Sequence, residues 1–362
     1  MTRRQGRRHK AEGRSVERTI ACPPSSRAQL ASVSRFLTFA FCLLPFALTG
    51  SSQAPQFHAG TDVVSIYATV VDKDGRLVTD LRREDFVVTD NGRTQKLAFF
   101  TNDVQPFTAV ILLDRSGSMS DHGELPVDAV AAFVRQMLPA DRARIGSFSD
   151  DIRIDPPEFT SDHRLLMGVV ENDLVGPGAS PVWTAIDRSI SALVPQPGRR
   201  VVLVLTDGHD SPLLNQQPTR LDRLMERART ADVMIYSIGF AAVGTQIRSS
   251  QDPRSRLPFG IPVGRSGPVT SRGALLTKSA EPPDPALKDL AEASGGGYFE
   301  LEDEKNDLRA TFAKVIDELH RQYWLGFVPV TLDGKVHEID VRVKRRGAEV
   351  RARRHYVAGA GR

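Results

Sequence analysis

The sequence predicts an α/β protein, a doubly wound and mainly parallel sheet, with a flanking β-rich unit made from its N- and C-terminal segments. Between residue 107 and about residue 321, short apolar runs rich in β-branched residues alternate with helical stretches, as strands covered on both faces by helices do. On either side of that block apolar and polar residues alternate with period two. Asp-Gly and Asn-Gly pairs punctuate those flanks, which marks them as antiparallel.

In chain order, residues 1–54 read as a leader. Up to Arg35 there are nine Lys or Arg against Glu12 and Glu17, a local charge of +7; with +4 for the whole chain, residues 36–362 sum to −3. The basicity therefore belongs to the leader, and the body carries no electrostatic footprint for nucleic acid. An uncharged run of fifteen residues follows, 36–50, ending among small residues. A basic start, a short apolar core and a small-residue exit describe an export signal, with cleavage expected between Gly50 and Ala54. The run is short for a bilayer span of about 20 residues, so a membrane enters only if the leader stays uncleaved. Cys22 and Cys42 both lie in this segment. The mature chain would have no cysteine, which excludes disulfides, thiol catalysis and thiolate metal sites.

Residues 55–104 form the N-terminal β flank, with strand patterns at 63–71, 85–90 and 95–100 separated by Asp72-Lys-Asp-Gly75 and Asn91-Gly92. Residues 105–322 form the α/β domain. Its buried strands are expected at 107–113, 143–148, 201–205 and 233–240, with helices over 124–138, 162–171, 182–194, 219–231, 285–294 and 304–322. Gly295-Gly296-Gly297 closes the fifth of these helices rather than binding phosphate. Residues 241–283 are rich in Gly, Pro, Ser and Arg and show no periodicity. Such a stretch is either a solvated insertion or a functional loop. If functional, it overhangs the carboxyl edge of the sheet, where Arg248, Arg254, Arg256 and Arg265 would select an acidic partner. Residues 323–362 return to strand patterns at 330–332, 336–343 and 349–357, and are expected to pair with the N-terminal flank, since neither can bury a core alone.

The chemistry concentrates where buried strands end. The first strand runs into Asp114-Arg115-Ser116-Gly117-Ser118, another into Thr206-Asp207-Gly208, and Ser180 precedes a helix between them. In a doubly wound sheet these loops share the carboxyl edge, where ligands bind. Asp114, Ser116, Ser118, Ser180 and Asp207 offer two carboxylates and three hydroxyls, a hard oxygen-only set suited to Mg2+, or alternatively Mn2+ or Ca2+. A plainer role is also open: Asp114 and Ser116 could simply close a turn or cap a helix.

With its order and spacing, this constellation resembles the metal-ion-dependent adhesion site of von Willebrand factor type A domains, over roughly residues 107–320. The resemblance implies a divalent ion held by those five residues and a carboxylate-bearing protein partner. Ser180 stands where the family usually has Thr, and Thr184 where many relatives carry Asp. The flanks, including Glu84-Asp-Phe86, Asp90-Asn-Gly92, Tyr323-Trp-Leu-Gly-Phe327 and Arg351-Ala-Arg-Arg-His-Tyr356, resemble a VWFA-related family abundant in acidobacterial genomes. That likeness implies an exported binding protein, periplasmic, envelope-bound or secreted.

Three function classes follow: a metal-dependent, adhesion-type module for a protein ligand; a structural envelope protein whose metal serves stability; and a metal-dependent hydrolase with His209 or Asp210 as base. The expectation is the first, without catalysis. Phosphate loops, nucleophile elbows and His-Glu-x-x-His motifs do not occur.

Overall fold

The computed structural model describes residues 63–119, 123–172, 174–211, 213, 217–240, 242–248, 275–301 and 304–359; for 242–248, 275–281 and 304–307 the description is of the backbone. The N-terminal flank supplies β1 (Val64–Asp72), β2 (Phe86–Asp90), β3 (Arg93–Gln95) and β4 (Leu97–Thr101). Asn91 and Gly92 join β2 to β3 with φ of 47° and 78°. Two successive positive φ values match the right-handed twist of a tight hairpin, which is why Asn-Gly stands there.

The central domain follows as β5 (Phe107–Asp114), α1 (Leu125–Gln136), β6 (Arg142–Phe148), β7 (Ile152–Thr160), α2 (His163–Asn172), α3 (Val182–Leu193), β8 (Arg199–Thr206) and α4 (Leu221–Thr230). Then come β9 (Met234–Phe240), β10 (Ala242–Arg248), β11 (Leu275–Glu281), α5 (Ala286–Ser294), β12 (Tyr298–Leu301) and α6 (Glu304–Arg321). Six of these strands form one sheet in the order β12-β9-β8-β5-β6-β7, parallel except for β7. Every residue of β5, β8 and β9 is buried, because each strand feeds two cores. Ala109, Ile111 and Leu113 pack with α1, α2 and α6 on one face, while Val110 and Leu112 pack with α3, α4 and α5 on the other. Among the described residues no helix is long and apolar enough to cross a membrane.

The C-terminal flank is β13 (Tyr323–Phe327), β14 (Val336–Val343), β15 (Ala348–Arg351) and β16 (His355–Val357). It interleaves with the N-terminal strands in two antiparallel sheets, β15-β1-β13-β4 and β16-β14-β2-β3, around Ile66, Ala68, Val88, Leu325, Phe327 and Ile339.

Two sequence expectations need correction, and a third stretch that the sequence left open is partly resolved. Residues 330–332 are not a strand: β13 begins at Tyr323, and Val330 and Leu332 are 77% and 54% exposed. Pro329 between them and β13 lacks the N–H a ladder needs. The single strand expected over 349–357 is two, because β15 pairs with β1 and β16 with β14. The aperiodic stretch 241–283 has ordered arms, β10 and β11, which pair antiparallel from Ala242↔Glu281 to Arg248↔Leu275. β-Bonding needs only main chain, so an aperiodic sequence does not preclude it.

The flanking sheets meet the central domain in a buried polar seam. Glu318 of α6 accepts hydrogen bonds at one oxygen, Oε1, from the hydroxyls of Thr69 at 2.9 Å and Tyr236 at 2.5 Å, and from the Arg351 guanidinium. Gln322 donates its amide to Thr69 Oγ1 at 2.7 Å and to the Tyr236 hydroxyl at 3.0 Å. Burial, with the Glu318 charge adding to it, pushes the Tyr236 hydroxyl far above its ordinary value, so it remains a donor. Beside it Arg199, fully buried, gives one N–H to the Leu319 carbonyl and lies 5.1 Å over the Tyr67 ring. Asp232 bridges Arg200 at 2.8 Å and Arg353 at 3.0 Å.

Within the flank, His337 faces Asp90 Oδ1 at 2.8 Å and Asp333 Oδ1 at 3.2 Å, while the Tyr356 hydroxyl donates to Asp90 Oδ2 at 3.0 Å. The Lys335 N–H, with the nearby His337 ring, holds the Asp333 carboxyl below its usual 3.8. A carboxyl depressed in the folded state contributes stability above its unfolded pKa and loses it as pH falls through the folded one. The melting difference between wild type and Asp333→Asn is therefore expected to be constant above about pH 5 and to vanish in stronger acid; a difference independent of pH would show that the charge contributes nothing.

Candidate functional site

Asp114 ends β5, Thr206 and Asp207 end β8, and Ser180 lies just before α3, so the sheet's carboxyl edge gathers them. The three loops are stitched together by main chain. The Gly117 N–H donates to the Gly178 carbonyl at 3.0 Å, and the Ser211 N–H to the Ser180 carbonyl at 2.7 Å. Gly178 and Gly208 are required by close approach. A Cβ on Gly178 would fall 2.5 Å from the Asp150 carboxyl carbon, and one on Gly208, whose φ is +82°, 2.9 Å from the Asp284 nitrogen.

Within this frame Asp114 is 2% exposed. Its Oδ1 accepts the Ser116 N–H at 2.8 Å, and its Oδ2 accepts the hydroxyls of Ser180 at 3.0 Å and Thr206 at 2.5 Å. Ser116 and Ser118 bring their hydroxyl oxygens to 3.1 Å of each other. Asp207 is fully buried: Oδ1 accepts the His209 N–H at 3.2 Å, and Oδ2 has no partner. Burial, reinforced by the Asp207 charge, raises the Asp114 carboxyl to about 6 against the opposing pull of the Thr206 and Ser116 bonds. Two carboxylates are thus withdrawn from water, one with an oxygen left over, a charge pattern that a cation would neutralise. Among the described residues there is no cluster of three or more His, Cys, Asp or Glu that could hold a metal, so any ion here depends on hydroxyls as well.

The structure thus brings Asp114, Ser116, Ser118 and Ser180 into one bonded group with Asp207 in electrostatic reach. It adds Thr206, whose position directly before a strand-end Asp was the available signal. Thr184 faces elsewhere, accepting the Thr219 N–H at 3.2 Å. Asp210, one of the two bases considered for a hydrolase, accepts the Trp183 N–H at 3.3 Å at the start of α3, and burial raises its carboxyl. His209 bonds the Asp207 main chain. Arg254, Arg256 and Arg265 lie outside the described residues; Arg248 is placed by its backbone at the end of β10.

A cavity of about 160 Å³ opens beside Asp114 and Ser116, walled by Arg115, Met119, Glu124, Pro126 and Pro177. The larger hollow of about 540 Å³ is elsewhere, over the outer face of β2 and β14, where Arg342 and Asp340 neutralise each other at 2.7 Å. Size favours the second, but buried unpaired chemistry favours the first.

The family model for the von Willebrand factor type A domain matches residues 109–257, a span that contains every oxygen of this cluster. The chain carries a von Willebrand factor type A domain. Solved structures similar to it include an aerotolerance-related membrane protein from Bacteroides fragilis, with 18% identity over 59% of this chain and 98% of that one and a TM-score of 0.41. A von Willebrand factor type A protein from Catenulispora acidiphila aligns over 83% of this chain and 75% of its own, at 11% identity and a TM-score of 0.42. Proximal thread matrix protein 1 from the mussel byssus, with a zinc-occupied MIDAS motif, aligns over 62% of this chain and 48% of its own, at 12% identity and a TM-score of 0.43. The comparison with curated proteins gave no match. The assignment of the type A domain rests on the matched family model, whose span begins in β5 and runs past β9.

Proposed function

We propose that the protein is an exported, adhesion-type binding module whose type A domain holds a divalent cation through Asp114, Ser116, Ser118, Ser180 and Asp207 and takes a carboxylate of a protein partner. The observation that carries this reading is the Asp207 oxygen, fully buried and without a partner, beside a second buried carboxylate. An unpaired buried carboxylate costs several kcal/mol unless a cation compensates it. The all-oxygen set favours Mg2+ over softer metals, with Mn2+ or Ca2+ as alternatives. The bound ion would supply a Lewis-acidic position for a partner oxygen. The protein's own groups do the rest: Thr206 and Ser180 orient Asp114, and the stitched loops fix where the hydroxyls stand. Export rests on the leader and its expected cleavage between Gly50 and Ala54.

The test is thermal unfolding with and without Mg2+. A ligand at a hundredfold its Kd stabilises by about 2.7 kcal/mol, so wild type is expected to melt higher in Mg2+ than in chelator. Asp207→Asn is the informative variant. Removing an unpaired buried charge leaves it as stable as wild type or more so in chelator, and the Mg2+ increment disappears. Asp114→Ala is less clean, because it strands the Ser180 and Thr206 hydroxyls as well. A Mg2+ increment that survives Asp207→Asn, or is missing from wild type, overturns the reading.

A further inference from the structure

We propose that Arg115 makes the cation site a two-point receptor, which selects a partner segment bearing two carboxylates, one for the ion and one for the guanidinium. The proposal rests on the metal reading above. Arg115 sits between Asp114 and Ser116, and its N–H donates to the Phe148 carbonyl at 2.9 Å, so its backbone is anchored across the sheet edge. Arg115, half-buried, lines the 160 Å³ cavity that Asp114 and Ser116 also line. Other arginines withdrawn from solvent are engaged: Arg199 with the Leu319 carbonyl, Arg200 with Asp232, Arg227 with Asp187, Arg351 with Glu318 and Arg353 with Asp232. Among the described residues the Arg115 guanidinium has no ion-pair or hydrogen-bond partner.

A planar guanidinium presents parallel N–H groups that match a carboxylate, and it gains most where water is partly excluded. Met119, Pro126 and Pro177, which line the same cavity, offer no hydrogen-bond donor in their side chains. An anion entering the cavity therefore has two places to be neutralised, the ion and Arg115. Glu124, exposed in the same wall, discourages a third negative group, which distinguishes a paired acidic motif from a long acidic run. The partner chemistry is thus two acidic side chains, or one beside a chain terminus.

The full chain in saturating Mg2+ is titrated with glutarate and with butyrate, which differ by the second carboxylate, and Mg2+ affinity is measured calorimetrically on the same samples. Wild type is expected to prefer glutarate by about tenfold, the discrimination of one charge-assisted contact. In Arg115→Gln the preference falls to near one, and Arg115→Lys, which keeps the charge but loses the fork, is intermediate. Mg2+ affinity stays equal or rises in Arg115→Gln, since a positive charge beside Asp114 has been removed. Equal binding of the two anions by Mg2+-loaded wild type, or a preference that survives Arg115→Gln, overturns this proposal and leaves the metal reading standing. Failure of wild type to bind Mg2+ overturns both.

Discussion

Glu318→Ala is expected to lower the unfolding free energy by about 3–5 kcal/mol, the scale of breaking a buried ion pair by deleting one partner. One oxygen of this buried carboxylate serves Thr69 of β1, Tyr236 of β9 and Arg351 of β15 together. Its loss leaves two hydroxyls and a largely buried guanidinium without their acceptor. Glu318→Gln keeps the shape and an acceptor but strands the Arg351 charge, so an intermediate loss is expected. The measurement is the urea unfolding midpoint and slope of the three proteins. Because the seam joins flank to centre, wild type should unfold in one transition, and a chain cut to residues 105–322 should be far less stable than the whole. A shortened chain that folds with wild-type stability would show that the seam is dispensable.

Gly296→Ala is expected to cost about 3 kcal/mol, at the upper end of what overpacking a core costs. A Cβ built at Gly296 falls 1.9 Å from the Ile235 carbonyl oxygen and 2.6 Å from its carbon. Those atoms belong to β9, inside a six-stranded sheet, and cannot move aside as a flexible side chain would. The neighbouring Gly295 caps α5 with φ of +81° and its N–H on the Glu292 carbonyl, so the three glycines stop a helix and let the chain pass tight against the sheet. Gly117→Ala is the control, since nothing lies within 4 Å of its Cβ position. Equal denaturant midpoints for the two variants would refute the steric argument.

Legibility in the sequence followed the range of the interactions. Helices with an uninterrupted apolar face were readable to within a few residues: the stretch expected over 182–194 is α3 at Val182–Leu193, and that over 219–231 is α4 at Leu221–Thr230. The strand-end oxygens were readable because topology alone sends Asp114 and Asp207 to one edge. β7 was not, because Pro156 and Pro157 in its middle read as loop, and an edge strand tolerates what a central one does not. β13 was hidden by following α6 after a single residue. The seam was invisible for a different reason: Thr69 and Glu318 are 249 residues apart, and no local periodicity encodes a hydroxyl meeting a carboxylate at that separation.

The prolines of β7 have a consequence for the protein among its neighbours. An open sheet ends in a row of unsatisfied amides and carbonyls, a template on which another chain can grow. Here one border is β7, where Pro156 and Pro157 remove two donors and Arg144 takes the Ile154 and Pro156 carbonyls. The opposite border is β12, only four residues long. Neither margin offers a long, regular run for strand addition, so copies of the central sheet crowded at high concentration lack an easy route to edge-to-edge polymerisation.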